Sequence, residues 1–287
     1  MNKLSVVLAT RNEEKHIGDC LKAVRDIADE IVVVDEFSSD KTRQIAKDLG
    51  ANVYTEPHHK IFHITKQKAI NRASGNWILQ LDADERVTSE LAKEILRVVK
   101  MTDEQLKKYE SSLPDKRLFK KHKRLLEDRD GKMGTEEGSY AAFLIPRRNL
   151  FLGKYLKYGG TYPDGVIRLF KKGMAYLPCK DVHEQMVVEG RVGWMQGHLL
   201  HVADADFNHY LKRNDGYINL LKEELKNNKV PKNVFMSINY LLLKPIYWFL
   251  LTQIRHKGLL DGWRGVVFSF FSALRFPRAY LRYINNK

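Results

Sequence analysis

The first hundred residues switch repeatedly between two hydrophobic periods. The run "LSVVLA" (4–9) is unbroken, apolar and rich in β-branched residues, which predicts a buried strand. "EEKHIGDCLKAVRD" (13–26) sets Ile17, Leu21 and Val24 on one helical face. "EIVVVDE" (30–36) is strand-like again. "SSDKTRQIAKDLG" (38–50) opens on capping residues, turns Ile45, Ala46 and Leu49 inward and stops at Gly50. A third strand, "NVYTE" (52–56), a helix, "TKQKAINRASG" (65–75), ended by Gly75, and a fourth strand, "NWILQLD" (76–82), complete the series. This βαβαβαβ order predicts an α/β fold: a parallel sheet covered by helices on both faces.

Sheets of this kind bind ligands at the carboxyl ends of their strands. Thr10 to Glu13, Asp35 and Asp82 come from three different strands, and all fall at that edge. The stretch "LQLDADERV" (79–87) crowds Asp82, Asp84 and Glu85 together there, in a chain whose formal net charge is +14. Like charges so close repel one another, and a divalent cation would account for them. No G-x-G-x-x-G follows the first strand and no G-x-x-x-x-G-K-[ST] occurs, which disfavours a dinucleotide fold and excludes a P-loop. Carboxylates at strand ends suit Mg²⁺ or Mn²⁺, which prefer oxygen ligands and bridge phosphates. A D-x-D triplet can put one carboxylate on a ribose and the other on the metal. Standing alone, it also reads as a solvated turn that caps a helix starting near Thr88.

Composition narrows the partners. Hydrophobic residues make up 44% of the 287, enough for a sizeable core, so disorder is not expected. The pI near 9.6 implies an anionic partner: nucleic acid, nucleotide, phospholipid or phosphorylated glycan. Cys20 and Cys179 are too few for a disulfide framework and fit a cytoplasmic chain. The amino-terminal apolar run is broken by Thr10, Arg11, Asn12 and Glu13, so no signal peptide is read there.

The ordered stretches "LSVVLATRNEEKHIGDCLKAV", "DEIVVVDEFSSDKT" and "KQKAINRASGNWILQLDADE" resemble the family 2 glycosyltransferases, which have the GT-A fold. Downstream, "IPRRNLFLGKYLKYGGTYPDGVIRLFKK", "VHEQMVVEG", "LLH" and "YLKRNDGY" resemble the bacterial subgroup that contains lipopolysaccharide-core β-glucosyltransferases. The resemblance implies an inverting, metal-dependent transferase. It would move a sugar from a nucleotide-sugar donor, UDP-linked by expectation, to a lipid-linked or lipopolysaccharide-type glycan. Thr10, Asn12 and Glu13 match the turn that holds the nucleoside. Asp35 matches the acid that contacts base or ribose, although Glu36 and Phe37 depart from the usual pattern after it. Lys66 would lie near the nucleotide, or would be an exposed helix cation. Asp82 would take the ribose or a metal-bound water, and Asp84 the Mg²⁺ or Mn²⁺. Glu85 would be a supporting acid or the first acid of the next helix. His201 would join the metal, or be an ordinary imidazole. Glu184 matches the general base that takes the proton of the acceptor hydroxyl, with Asp181 and Asp164 as rivals.

Two regions stand apart. Residues 103–139 carry both charge signs and few large apolar residues, and read as a solvated, mobile insertion. Within them "KRLFKKHKRLL" predicts a basic helix with Leu118, Phe119, Leu125 and Leu126 partly on one side, an arm for an anionic acceptor or membrane. No aromatic base-stacking pattern accompanies it, so nucleic acid is not expected. Beyond residue 202, "NVFMSINYLLLKPIYWFLLTQIRHKGLLDGWRGVVFSFFSALRFPRAYLRY" is apolar and aromatic with scattered cations. Lys244 and Pro245 are expected to split its best candidate for a spanning helix, which needs roughly 20 apolar residues. These helices are read as lying on the inner face of the cytoplasmic membrane, or as a lid or dimer face. The expected organisation is a catalytic domain over 1–202 and a helical region over 203–287. A nucleotidyltransferase and a non-catalytic sugar-nucleotide-binding protein are the rival functions.

Overall fold

The computed structural model describes residues 2–180, 185–204 and 206–285. The chain divides into two compact units, Met1–Arg147 with Pro163–His201, and Arg148–Tyr162 with Val202–Lys287.

The first unit is built on strands β1 (Leu4–Thr10), β2 (Glu30–Asp35), β3 (Asn52–Thr55), β4 (Trp77–Leu81), β5 (Glu85–Val87) and β6 (Thr135–Phe151). β7 (Lys154–Tyr155) pairs with the end of β6, and β8 (Asp164–Lys171) runs along β6. β9 (Ala175–Tyr176) and β10 (Val187–Val188) form a separate ribbon, while β11 (Arg191–Trp194) joins β6 in parallel and β12 (Leu199–Asp204) pairs with β5. The order β3-β2-β1-β4 is parallel throughout, as the alternating periods predict. Beyond β4 the sheet continues as β8-β6-β12-β5, and β4–β8, β8–β6 and β12–β5 are antiparallel pairs. The sheet is therefore mixed, and the fold is GT-A-like.

Every residue of β1 is buried, which is why that stretch carries no polar alternation. α1 (Ile17–Lys22) is shorter than the 13–26 reading, with turns on both sides, yet Ile17, Leu21 and Val24 all face the core. α2 (Thr42–Asp48) stops as expected. Gly50, at φ +84°, donates to Lys47 O at 2.9 Å, and Ala51 closes the end by donating to Ala46 O at 3.0 Å. α3 (Phe62–Arg72) ends before Gly75. That glycine is needed for another reason: a Cβ there would meet Lys3 O at 2.7 Å as the chain passes close to β1. α4 (Ser89–Val98) is capped by Thr88 and buries Leu91, Ile95 and Val98, each worth about 1.5–3 kcal/mol.

The 103–139 stretch is not a solvated insertion. It forms α5 (Asp103–Ser112) and α6 (Lys116–Asp130), which drive Leu106, Tyr109, Leu113, Phe119, Leu126 and Met133 into the main core. A Thr102–Gln105 capping box starts α5. In α6 the inward pair is Phe119 and Leu126, seven residues apart, while Leu118 and Leu125 are exposed. Two turns of helix return a residue to the same face, so adjacent leucines could not share the core.

In the second unit, α7 (Phe207–Asn227) packs with helix Arg275–Ile284. Val234–Arg255 is one helix of 22 residues, long and apolar enough by length and composition to cross a membrane. The break expected at Lys244 and Pro245 does not occur. A π-turn over Asn239–Leu243 widens the helix just before the proline, and a second covers Leu251–Arg255. The wider turn relieves the clash between the ring and the preceding carbonyl.

Candidate functional site

The carboxyl ends of β1, β2 and β4 meet as the alternation predicts. Thr10 and Asp35 are in-register partners. Asp35 is wholly buried and accepts from Thr10 Oγ1 at 2.9 Å, Ser38 N at 2.7 Å and Ser38 Oγ at 2.5 Å. The next loop is tied in by Asn12, which sits in the left-handed region (φ +56°) that Asn tolerates better than most residues. Its N–H donates to Ser38 Oγ at 2.8 Å, and its Oδ1 accepts from Ser39 N at 2.9 Å. Glu13 N donates to Thr42 Oγ1 at 2.7 Å, fixing this loop to the start of α2.

The acidic stretch is a tight turn. Glu85 N donates to Asp82 O at 3.0 Å, and the Glu85 carboxylate accepts from Asp82 N at 3.1 Å. Arg168, from β8, is buried beneath it. The β4–β8 register, Leu79 opposite Leu169, brings Arg168 beside Gln80. Its guanidinium donates to Gln80 Oε1 at 2.5 Å, to Glu85 Oε1 at 2.9 Å and to Asp82 Oδ2. Lys66 Nζ stands 2.5 Å from Asp82 Oδ1, so it is a buried-edge partner and not an exposed helix cation. Arg147 donates to Glu85 at 3.2 Å and to Asp164 at 2.8 Å. Glu85 lies in β5, fully buried, rather than opening the next helix.

Asp84 differs from its neighbours in its partner. Its side chain is about as exposed as that of Asp82 (31% against 27%), but Oδ2 faces His201 Nε2 at 3.1 Å. The β5–β12 register, with His201 opposite Glu85, makes that approach. Two of the three crowded acids are thus neutralised from within by Arg168, Lys66 and Arg147. The third stands beside an imidazole.

The electrostatics follow. Burial works against the charge on Asp82, but Arg168 and Lys66 hold its carboxyl well below the usual range. Burial also works against Asp84, while the His201 contact keeps it below its ordinary value. Glu13 is pushed up to about 7, by burial first and then by the charges of Asp84 and Asp82. Arg168 is raised: its ion pairs with Asp82 and Glu85 outweigh the cost of burial. Burial pushes the Cys20 thiol up, and it donates to Asp82 O at 3.6 Å. It is packing under the turn, not a nucleophile.

Among the described residues, no three His, Cys, Asp or Glu side chains converge as a ready-made metal cage. Asp84 and His201 offer one oxygen and one nitrogen. The Asp84 carboxylate suits Mg²⁺ or Mn²⁺ bound largely through substrate phosphates and water, since Mg²⁺ typically takes only one or two carboxylates from protein; the His201 nitrogen suits Mn²⁺ better than Mg²⁺. Glu184 and its rival Asp181 lie outside the described residues. The other rival, Asp164, is committed to Arg147.

Residues 5–144 match the model described as glycosyl transferase family 2. That match covers just under half of the chain. An uncharacterized glycosyltransferase of Rickettsia typhi is 27% identical over all of this chain and 89% of its own length. The lipopolysaccharide core biosynthesis glycosyltransferase LpsC of Rhizobium meliloti is 24% identical over 95% of this chain and 91% of its own. Against several other rickettsial glycosyltransferases, the match spans about a third of the relative's length. A glucosyl-3-phosphoglycerate synthase structure from Mycobacterium tuberculosis, with Mn²⁺ and UDP, is 25% identical over 29% of this chain and 34% of its own, with a TM-score of 0.27.

The candidate residues that are described thus gather at one edge of the sheet, linked through contacts such as Thr10–Asp35, Lys66–Asp82 and Asp84–His201. The cations that hold it, Arg147 and Arg168, escaped the sequence reading. The one signal for Arg168 was a lone charge inside the apolar run "GVIRLF".

Proposed function

We propose that this chain is an inverting, metal-dependent glycosyltransferase that moves sugar from a nucleotide-sugar donor to a lipid-linked or lipopolysaccharide-type glycan. The observation that carries the reading is Asp84: a carboxylate that faces the His201 ring, in a turn whose other acids already have lysine or arginine counter-charges. Asp84 and His201 would hold Mg²⁺ or Mn²⁺, whose charge offsets that of the departing nucleoside diphosphate. The Thr10–Glu13 loop and Asp35 shape the nucleoside pocket through Ser38 and Ser39. Lys66 and Arg168 keep Asp82 ionised where a ribose hydroxyl can donate to it. Glu184 takes the proton from the acceptor hydroxyl as the new bond forms. The likeness to the core-biosynthesis relative supports the choice of acceptor.

The test of the base is Glu184→Gln, which keeps the shape and removes the proton acceptor. Donor binding should stay at the wild-type level while transfer slows by about 100-fold or more. Transfer near the wild-type rate would assign the base elsewhere.

A lipid-borne acceptor places the enzyme at a membrane, and the helix Val234–Arg255 suits that. One side packs within its own unit: Tyr240 stacks on Tyr280 at 5.1 Å, Trp248 Nε1 donates to Ser272 Oγ at 3.0 Å, and Gln253 Nε2 donates to Gly265 O at 3.2 Å. The other side exposes Phe235, Ile238, Leu242, Ile246, Leu250 and Ile254 in a continuous apolar stripe. Exposed Lys229, Arg255 and Lys257 stand near its two ends. Because one side packs within its own unit, the exposed apolar stripe is what this reading seats in a leaflet. Each basic residue near an anionic surface adds about 1 kcal/mol, and buried apolar area adds about 25 cal/mol per Å². The protein should float with anionic liposomes and be released only partly by salt. The triple variant Ile238→Glu, Leu242→Glu, Ile246→Glu should remain in the soluble fraction. Wild-type protein that stays soluble at low salt would remove the membrane from this reading.

A further inference from the structure

We propose that the groove bounded by α5, α6 and the β6–β11 edge is a second anion site, one that takes phosphate groups carried on a saccharide. The cavity measures about 1140 Å³ and lies wholly in the first unit. Its rim carries Lys107, Lys116, Arg117, Lys120, Lys121 and Arg124. Of the three acids that line the groove, Glu136 is exposed and the other two are paired. Glu110 accepts from Tyr140 Oη at 2.6 Å and lies 3.7 Å from Arg191, and Glu127 lies 3.8 Å from Lys123.

Local physics argues against these cations being helix-supporting decoration. Asp115 stands at the N-cap of α6 without a side-chain cap bond, no acid follows in the first turn, and the helix begins with Lys116 and Arg117, where the positive end of the dipole disfavours them. Lys116, Lys120 and Arg124 follow at four-residue spacing, a like-charge pattern that costs helix stability. α6 nevertheless forms, held by Phe119 and Leu126 in the core. A charge pattern that opposes its own helix points to something bound that compensates it. A second observation lies in the groove wall. Trp194, which lines the groove and stacks on Phe119 at 4.7 Å, is 3% exposed, and its buried indole N–H has no partner among the described residues.

The position of α6 favours a saccharide bearing the phosphates. His122 accepts from Gly165 N at 3.3 Å, beside Asp164, and Asp130 accepts from Gln185 Nε2 at 2.9 Å, next to Glu184 in the chain. The helix that carries the basic rim thus also touches the segments on which the proposed acceptor chemistry depends. The choice of a saccharide rests on the sugar-transfer reading; the anion site itself rests on the groove.

The test is a binding measurement on the full chain with UDP and Mn²⁺ saturating, so that donor-crevice binding is accounted for. Glucose 1,6-bisphosphate, glucose and phosphatidylglycerol vesicles are titrated in parallel. The bisphosphate should bind in a salt-sensitive manner and glucose should not. Charge reversal in Arg117→Glu, Lys120→Glu, Arg124→Glu should weaken it by about 10-fold or more, as expected when charge-assisted contacts are lost. UDP affinity should be unchanged. If the reversed variant misfolds by circular dichroism, Lys120→Gln, Arg124→Gln provides the same comparison. Equal binding to wild type and variant would overturn the site, as would glucose binding as well as its bisphosphate. Binding of vesicles alone would overturn the saccharide assignment. No turnover is measured, so failure here is distinct from failure of the reaction proposed for the crevice.

Discussion

Asp84→Asn is expected to abolish Mn²⁺-dependent binding of nucleoside diphosphate and to lower transfer by about 100-fold or more, the scale on which lost electrostatic stabilisation is felt. The fold should survive, because Asp84 is partly exposed and, among the described residues, its carboxylate is bonded to the His201 ring. A second readout comes from Glu13. With its carboxyl pushed up to about 7, Glu13 is largely protonated at pH 6 and charged at pH 8. Mn²⁺ affinity of the wild type should therefore rise with pH through that window. Removing the Asp84 charge removes one cause of the Glu13 shift, so any residual metal binding in the variant should show its pH dependence at lower values. Calorimetric titration of Mn²⁺ with UDP at several pH values measures both. Unchanged affinity and unchanged metal dependence in Asp84→Asn would refute the metal assignment.

Arg168→Met should be the most destabilising of the changes considered. The guanidinium is buried and serves Gln80, Asp82 and Glu85 together. Its loss leaves Glu85 with Arg147 alone and Asp82 with Lys66 alone. Removing one member of a buried charge pair typically costs about 3–5 kcal/mol, because the remaining charge is left uncompensated. Arg168→Lys keeps the charge but not the planar fork that reaches several acceptors, and should fall between the two. Urea denaturation should show midpoints ordered wild type, Lys, Met. Nucleotide affinity should fall in the same order, since the turn that aims Asp84 is fastened by the same contacts. A methionine variant as stable as the wild type would mean that the turn holds itself.

The parallel half of the sheet was legible because each strand and helix there is short, uniform in period and punctuated. The apolar run of β1 and the stop at Gly50 mean the same thing in sequence and in space. The antiparallel half was harder. β6 is 17 residues long and starts exposed before it turns into core, so its beginning looked like the end of a charged loop. α6 was misread because a helix rich in lysine needs only Phe119 and Leu126 to dock, and their spacing of seven is easily hidden by Leu118 and Leu125. Pro245 was read by the rule for a regular α-helix, which does not anticipate a wider turn. In the crevice, the oxygen-bearing residues were legible because they crowd together along the chain. Their counter-charges were not, since Arg147 and Arg168 lie 62 and 83 residues beyond Glu85 and meet it only through strand pairing.

That separation has a consequence for biogenesis. At about 5–20 residues per second, the ribosome releases Glu85 roughly 4–17 s before Arg168. For that interval the nascent β1–β4 half holds Asp82, Asp84 and Glu85 with Lys66 as its own counter-ion, and the turn has no fork to close on. Strands β6 and β8 deliver the two arginines as they dock beside β4. Completion of the donor crevice is thus tied to the arrival of the antiparallel strands, and a polypeptide stalled earlier carries the acids without the clamp that orders them.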